Sequence, residues 1–221
     1  MTSEAAIIER IQFDLRGPGG DWETIFEDVL GESLLVFKNR HRSIREMFNA
    51  NIAKWASREF LVLGDRRITY EELKSCVEST AYSMQTQCGI KQGDRVAILG
   101  ANSPEWVISF FAATHLGAIV SALNGWWTET EIRHALELTN PSLVVGDSRR
   151  LARAGSLLDN FQVIDFDQNP LFFENSGNEP EYPDLNEDDP ALILFTSGTT
   201  GKSKGALLSH RSLVGLSLIH I

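Results

Sequence analysis

Along the chain, apolar positions switch repeatedly between short runs and stripes at helical spacing, and the switches come with local start and stop signals. Leu73, Val77, Ala81 and Met84 recur at helical spacing behind Thr69-x-x-Glu72, which predicts a capped helix with one buried stripe, ending near Cys88-Gly89. Arg95 to Leu99 is short and apolar and reads as a strand. Ser103 can then cap, and Pro104 can occupy the first turn of, a helix reaching Ala118. Thr128-x-x-Glu131 repeats the capping pattern, with Ile132, Ala135 and Leu136 inward until Asn140-Pro141 stops the helix. Leu143-Val144-Val145 and Val163-Ile164 read as strands around a helix near 148–158. Ala191 to Phe195, apolar throughout between Asp-Asp-Pro and a glycine-rich turn, reads as a buried strand. This alternation predicts an α/β protein of layered sheets flanked by helices, without fixing the strand order.

Two stretches break the pattern. Residues 167–189 hold eight acids, three prolines and no Lys or Arg, and are expected to be a solvated connection. Residues 1–32 are expected to be an N-terminal extension, in which Gly17-Pro18-Gly19-Gly20 reads as a turn. Trp106 to Ala118 is too short for a membrane span and carries His115, so it reads as a buried helix.

Composition narrows the function classes. With 43% apolar and 23% charged residues in 221, the chain can bury a substantial core. A net charge of −10 without a basic run argues against a nucleic-acid partner. Cys76 and Cys88 are isolated, without metal spacing, and are expected to be reduced thiols. Met1-Thr2-Ser3-Glu4 is not the basic start of a signal peptide. A cytoplasmic location is expected, with peripheral membrane attachment left open.

The chemistry concentrates where the strand at 191–195 runs out. Thr196, Ser197, Thr199 and Thr200 offer hydroxyls, while Gly198 and Gly201 permit positive φ and close backbone approach, so several N–H groups can converge on one anion. Lys202 and Lys204 add mobile point charges suited to phosphate. The bland alternative is a flexible surface loop. The P-loop motif G-x-x-x-x-G-K-[ST] does not fit, because its opening glycine would fall at position 196, which is Thr196.

Phe195 to Gly205, FTSGTTGKSKG, resembles the AMP-binding signature of the adenylate-forming superfamily, which includes acyl-CoA synthetases, luciferases and the adenylation domains of peptide synthetases. One position departs: the family usually has proline before the second lysine, where this chain has Ser203, which implies a less rigid loop. Ile68 to Leu73, Gly93 to Ile98, Asn102 to Trp106 and Gly117 to Val120 look like the family's upstream motifs in their usual order. Val36 to Arg40 and Ser43 to Arg45 look more like a bacterial acyl-CoA synthetase than a peptide-synthetase module.

The resemblance implies the N-terminal part of the large domain of an adenylate-forming enzyme, over residues 33–215. It implies ATP and Mg²⁺, a small carboxylic acid as substrate, coenzyme A as co-substrate and a place in fatty-acid metabolism. Thr196, Ser197, Gly198, Thr199, Thr200, Gly201 and Lys204 are then the phosphate-binding residues, and Lys204, at the family's lysine position, is the catalytic one. Family members are about twice this length or more, so the chain is expected to be a fragment that is inactive alone. The magnesium-holding glutamate, ribose-binding aspartate and C-terminal lysine would lie downstream. Leu216 to Ile221 is what the string CTGTCTCTTATACACATC encodes, the end of a sequencing-library adapter, so residues 216–221 are expected to be an adapter-derived tail.

Other residues carry bland expectations. Asp165-x-Asp167-x-Asn169 imitates a calcium loop, but Pro170 and Ser176 occupy the positions of its glycine and final glutamate. His41, His115, His134 and His210 lack metal spacing and are expected to be packed or solvated, with lining of an acyl pocket a minor option for His210. The pair Trp126-Trp127 is expected to fill a core or a subunit contact. Two rivals stay open: a nucleotide-binding module without chemistry, and an NTPase or kinase that would release γ-phosphate. Within the superfamily, amino-acid-activating and light-producing members also stay open.

Overall fold

The structure, a computed structural model, describes residues 4–196 and 202–219. The elements expected from the pattern are largely present, and additional ones surround them. In chain order the helices are α1 (Glu4–Arg16), α2 (Ile44–Trp55), α3 (Tyr70–Thr86), α4 (Pro104–His115), α5 (Glu129–Thr139), α6 (Ser148–Ala154) and α7 (His210–Ile219). The strands are β1 (Thr24–Val29), β2 (Glu32–Phe37), β3 (Glu59–Leu63), β4 (Arg66–Thr69), β5 (Arg95–Leu99), β6 (Ile119–Ala122), β7 (Leu143–Gly146), β8 (Gln162–Asp165), β9 (Pro190–Thr196) and β10 (Lys204–Ser209).

The main sheet has the order β10-β9-β6-β5-β7-β8, and only β10 runs antiparallel to its neighbour. The chain therefore starts at a central strand, adds β6 on one side, crosses to β7 and β8 on the other, and returns to place β9 beside β6. Both faces are covered, as a parallel sheet requires. On one face Val96, Ile98, Val120, Val145 and Leu192 pack against Leu73, Val77 and Met84 of α3 and Ile108 and Ala112 of α4. On the other, Ala97, Leu99 and Val144 pack against Ile132, Ala135 and Leu136 of α5 and Leu151 of α6. Alternate residues of one strand thus serve two cores, and a one-residue slip would exchange them.

The helix ends follow the signals in the sequence. In α3 the Thr69 N–H donates to Glu72 Oε2 at 2.8 Å and the Glu72 N–H to Thr69 Oγ1 at 3.3 Å. Ser103 Oγ accepts from the Trp106 N–H at 3.2 Å, with Pro104 in the first turn of α4. In α5 the Thr128 N–H donates to Glu131 Oε2 at 2.8 Å, and Asn140 closes the other end in the left-handed conformation, φ 40°, just before Pro141.

Residues 167–189 are more than a solvated connection. A 3-10 turn at Pro170–Phe173 buries Phe172 and Phe173 against the α3 face of the sheet. Thr80 Oγ1 also donates to the Phe172 carbonyl at 3.2 Å. The acids of this stretch dominate its average composition, whereas its fold is set by two adjacent aromatics. The expected boundary between residues 32 and 33 falls at the start of β2, inside the antiparallel β1–β2 hairpin. α7 runs across residue 216 to Ile219, while His220 and Ile221 lie outside the described residues.

Candidate functional site

The five parallel strands end on one edge of the sheet, the place where α/β sheets bind ligands. β9 delivers Thr196 there, and β10 starts at Lys204. In the antiparallel register Thr196 lies opposite Lys204, and Phe195 opposite Gly205. Registered partners project to the same face of a sheet, so a hydroxyl and an ammonium stand side by side at the foot of the intervening loop. Both residues are exposed, and Lys202 is exposed as well. Among the described residues neither ammonium has a carboxylate within ion-pair distance, so both are uncommitted charges that fit a polyanion. Ser197, Gly198, Thr199, Thr200 and Gly201, the rest of the expected phosphate-binding set, lie outside the described residues.

A cleft of about 790 Å³ opens beside this foot, with Asn124, Trp127, His134, Phe195, Thr196 and Lys202 among its lining residues. Its floor is built from the carboxyl ends of β6 and β9, and its wall is α5. The Trp127 ring meets the Phe195 ring edge to face, centroids 5.1 Å apart. His134 Nε2 lies 2.9 Å from the Ser203 carbonyl oxygen. A carbonyl can only accept, so Nε2 is the donor. Trp127 fills a core as expected, but its neighbour Trp126 is 76% exposed with the Arg150 guanidinium 5.7 Å over its ring.

Opposite the loop, at the far end of the hairpin, charges lock the chain together. Arg211 is bidentate to Asp188, at 2.6 and 2.9 Å, and reaches Glu27 at 3.1 Å. Arg40 bonds both Glu27, at 2.6 Å, and Glu187, at 2.9 Å, and Arg42 bonds Glu187 at 2.7 Å. The Arg40 hydrogen bond, opposed by some burial, holds the Glu27 carboxyl down at about 2, and Asp188 is lowered by Arg211.

His210 and His115 stand away from the cleft. His210 is fully buried at the start of α7, where its Nδ1 accepts from the Ile44 N–H at 3.3 Å. It lines no pocket of the cleft. His115 is buried among Phe48, Phe111 and Tyr182, with no partner for either ring nitrogen among the described residues, and burial pushes it down to about 3. Among the described residues no group of three or more His, Cys, Asp or Glu could hold a metal ion, so no Mg²⁺ ligand is assigned. No described helix is long and apolar enough to cross a membrane.

A family profile described as AMP-binding enzyme matches residues 48–219. The chain belongs to the AMP-binding enzyme family. Members similar to it include 4-coumarate–CoA ligase 1 of Petroselinum crispum, 28% identical over 208 residues, covering 88% of this chain and 38% of that protein. Indoleacetate–CoA ligase of Aromatoleum aromaticum is 34% identical over 160 residues, covering 67% of this chain and 31% of its own. The chain thus spans under two-fifths of the length of these family members. Among solved structures, the N-terminal subdomain of NpsA from Klebsiella oxytoca in complex with 3-hydroxyanthranilyl-AMSN superimposes with a TM-score of 0.68 at 30% identity, over 79% of this chain and 43% of that one. VinN in complex with L-aspartate reaches a TM-score of 0.73 at 19% identity, a likeness of fold alone.

Proposed function

We propose that this chain is the ATP-binding N-terminal portion of an AMP-forming acyl-CoA synthetase. Thr196 and Lys204, paired across β9 and β10 at the mouth of a hydroxyl- and glycine-rich loop, carry this reading. In the proposed reaction a carboxylate attacks the α-phosphorus of ATP, giving an acyl-adenylate and pyrophosphate, and the coenzyme A thiol then takes the acyl group. Charge builds up on the departing pyrophosphate. The Lys204 ammonium, the Thr196 hydroxyl and the loop residues Ser197 to Gly201 would bind that charge, most effectively where they are fixed in advance. Mg²⁺, held by residues outside the described set, would neutralise part of the same charge.

The substrate is proposed to be an aromatic carboxylic acid rather than a fatty acid. Two similar CoA ligases carry coumarate and indoleacetate in their names, which supports this choice. The test is carboxylate-dependent ATP–pyrophosphate exchange in a polypeptide of the relatives' length, followed by thioester formation. Exchange without any thioester would favour an adenylating enzyme that loads another acceptor. Release of phosphate in place of pyrophosphate would overturn the proposal.

A further inference from the structure

We propose that His134 is a positioning residue for Lys204, holding the peptide plane that precedes it through a hydrogen bond from Nε2 to the Ser203 carbonyl. The bond is 2.9 Å long and partly buried. The Ser203 C=O and the Lys204 N belong to one planar unit, so fixing that oxygen restricts where the Lys204 backbone can go.

The donor is itself immobile. His134 sits in the middle of α5, which is locked at one end by the Thr128–Glu131 capping box, at the other by Asn140, and along its length by buried Ile132, Ala135 and Leu136. The acceptor side is fixed from Lys204 onward, where β10 pairs with β9 and Gly205 meets the Ile193 side chain so closely that a Cβ would fall 2.9 Å from it. Ser203, by contrast, is the last described residue before the strand that keeps full backbone freedom by residue type. Its N–H donates to no other described residue. A side-chain tether at this carbonyl supplies the restraint that a proline would otherwise supply through its ring. Lys202, two residues before Lys204, is on the same short segment and lines the same cleft.

The ligand part of this inference rests on the proposed nucleotide binding, and the backbone part does not. Three variants of the 221-residue chain separate them: His134→Phe, which keeps ring volume without a donor, His134→Gln, which restores one, and His134→Phe with Ser203→Pro. Nitrogen NMR should show the Nε2–H tautomer of His134. Amide exchange at Lys204 to Ala206 should rise about fivefold in His134→Phe, the scale of one lost hydrogen bond, and fall back in the other two. ATP affinity, read with the same substitutions in a polypeptide of the relatives' length, should weaken by a similar factor and recover in the same two variants, with unfolding midpoints little changed. Unchanged exchange in His134→Phe would overturn the tether. Altered exchange with unaltered ATP affinity would overturn the positioning role. A polypeptide of the relatives' length that binds no ATP would overturn the nucleotide reading while leaving the exchange result to judge the tether.

Discussion

Arg211 Nη1 donates to Glu27 Oε2 at 3.1 Å, across 184 positions of sequence, and so fastens the N-terminal hairpin to the first turn of α7. The same arginine grips Asp188, and its own N–H donates to the Glu187 carbonyl at 2.6 Å, so the two ends of the β9–β10 hairpin meet at one charged clamp. Arg40 lies almost wholly inside it, its side chain 2% exposed. Removing Arg40 takes one hydrogen-bonded cation from both Glu27 and Glu187, whose carboxylates are themselves largely buried. Arg40→Ala should therefore destabilise the chain by about 3 kcal/mol in chemical denaturation.

Acid should undo the same clamp. The Glu27 carboxyl titrates at about 2 in the folded chain and has an ordinary value of 4.5, so it contributes stability that is fully present above 4.5 and lost as pH falls toward 2. Glu27→Gln should flatten that part of the stability curve, as read by denaturation midpoints from pH 5 down to pH 2.

Buried histidines act at higher pH with the same sign. His115 has its value lowered from 6.5 to about 3, and His210 is also lowered by burial, so the folded chain stays neutral where the unfolded one takes up protons. Stability should fall as pH drops below 6.5, with His115 contributing up to about 1.4 kcal/mol per pH unit. His115→Leu should remove one histidine's share of the slope between pH 6 and pH 4.

Burial also quiets the two thiols. It raises Cys76, and raises Cys88 to about 11, so little thiolate exists near neutral pH. Alkylation of the native chain at pH 8 should be at least tenfold slower than that of free cysteine, and rapid after unfolding.

At the site, Lys204→Ala in a protein of the relatives' length should lower ATP–pyrophosphate exchange by about 100-fold, the scale of one charge-stabilising donor. Thioester formation from preformed acyl-adenylate should change much less. Unchanged exchange would remove Lys204 from the proposed role.

What could be read in advance was local. α3, α4 and α5 were legible because each carries its own cap and a stripe within one segment, and β5, β7 and β9 because they are unbroken apolar runs. β6 is only four residues and includes Ser121, and β10 is exposed over most of its length, so neither shows a clear period. Phe172 and Phe173 were hidden by the acids around them. At the site, Thr196 and Lys204 were legible because the signature is contiguous. His134 was not, since its acceptor lies 69 positions away and nothing in the spacing of α5 distinguishes it from a solvated residue. The charged clamp was illegible for the same reason.

One end of the main sheet has a practical consequence. β10 has no strand on its outer side among the described residues, and Leu207 on it is 57% exposed. Unpaired N–H and C=O groups on such a rim can take the backbone of a second copy of this chain, so sedimentation of the 221-residue chain should reveal association that grows with concentration, and Leu207→Lys should suppress it.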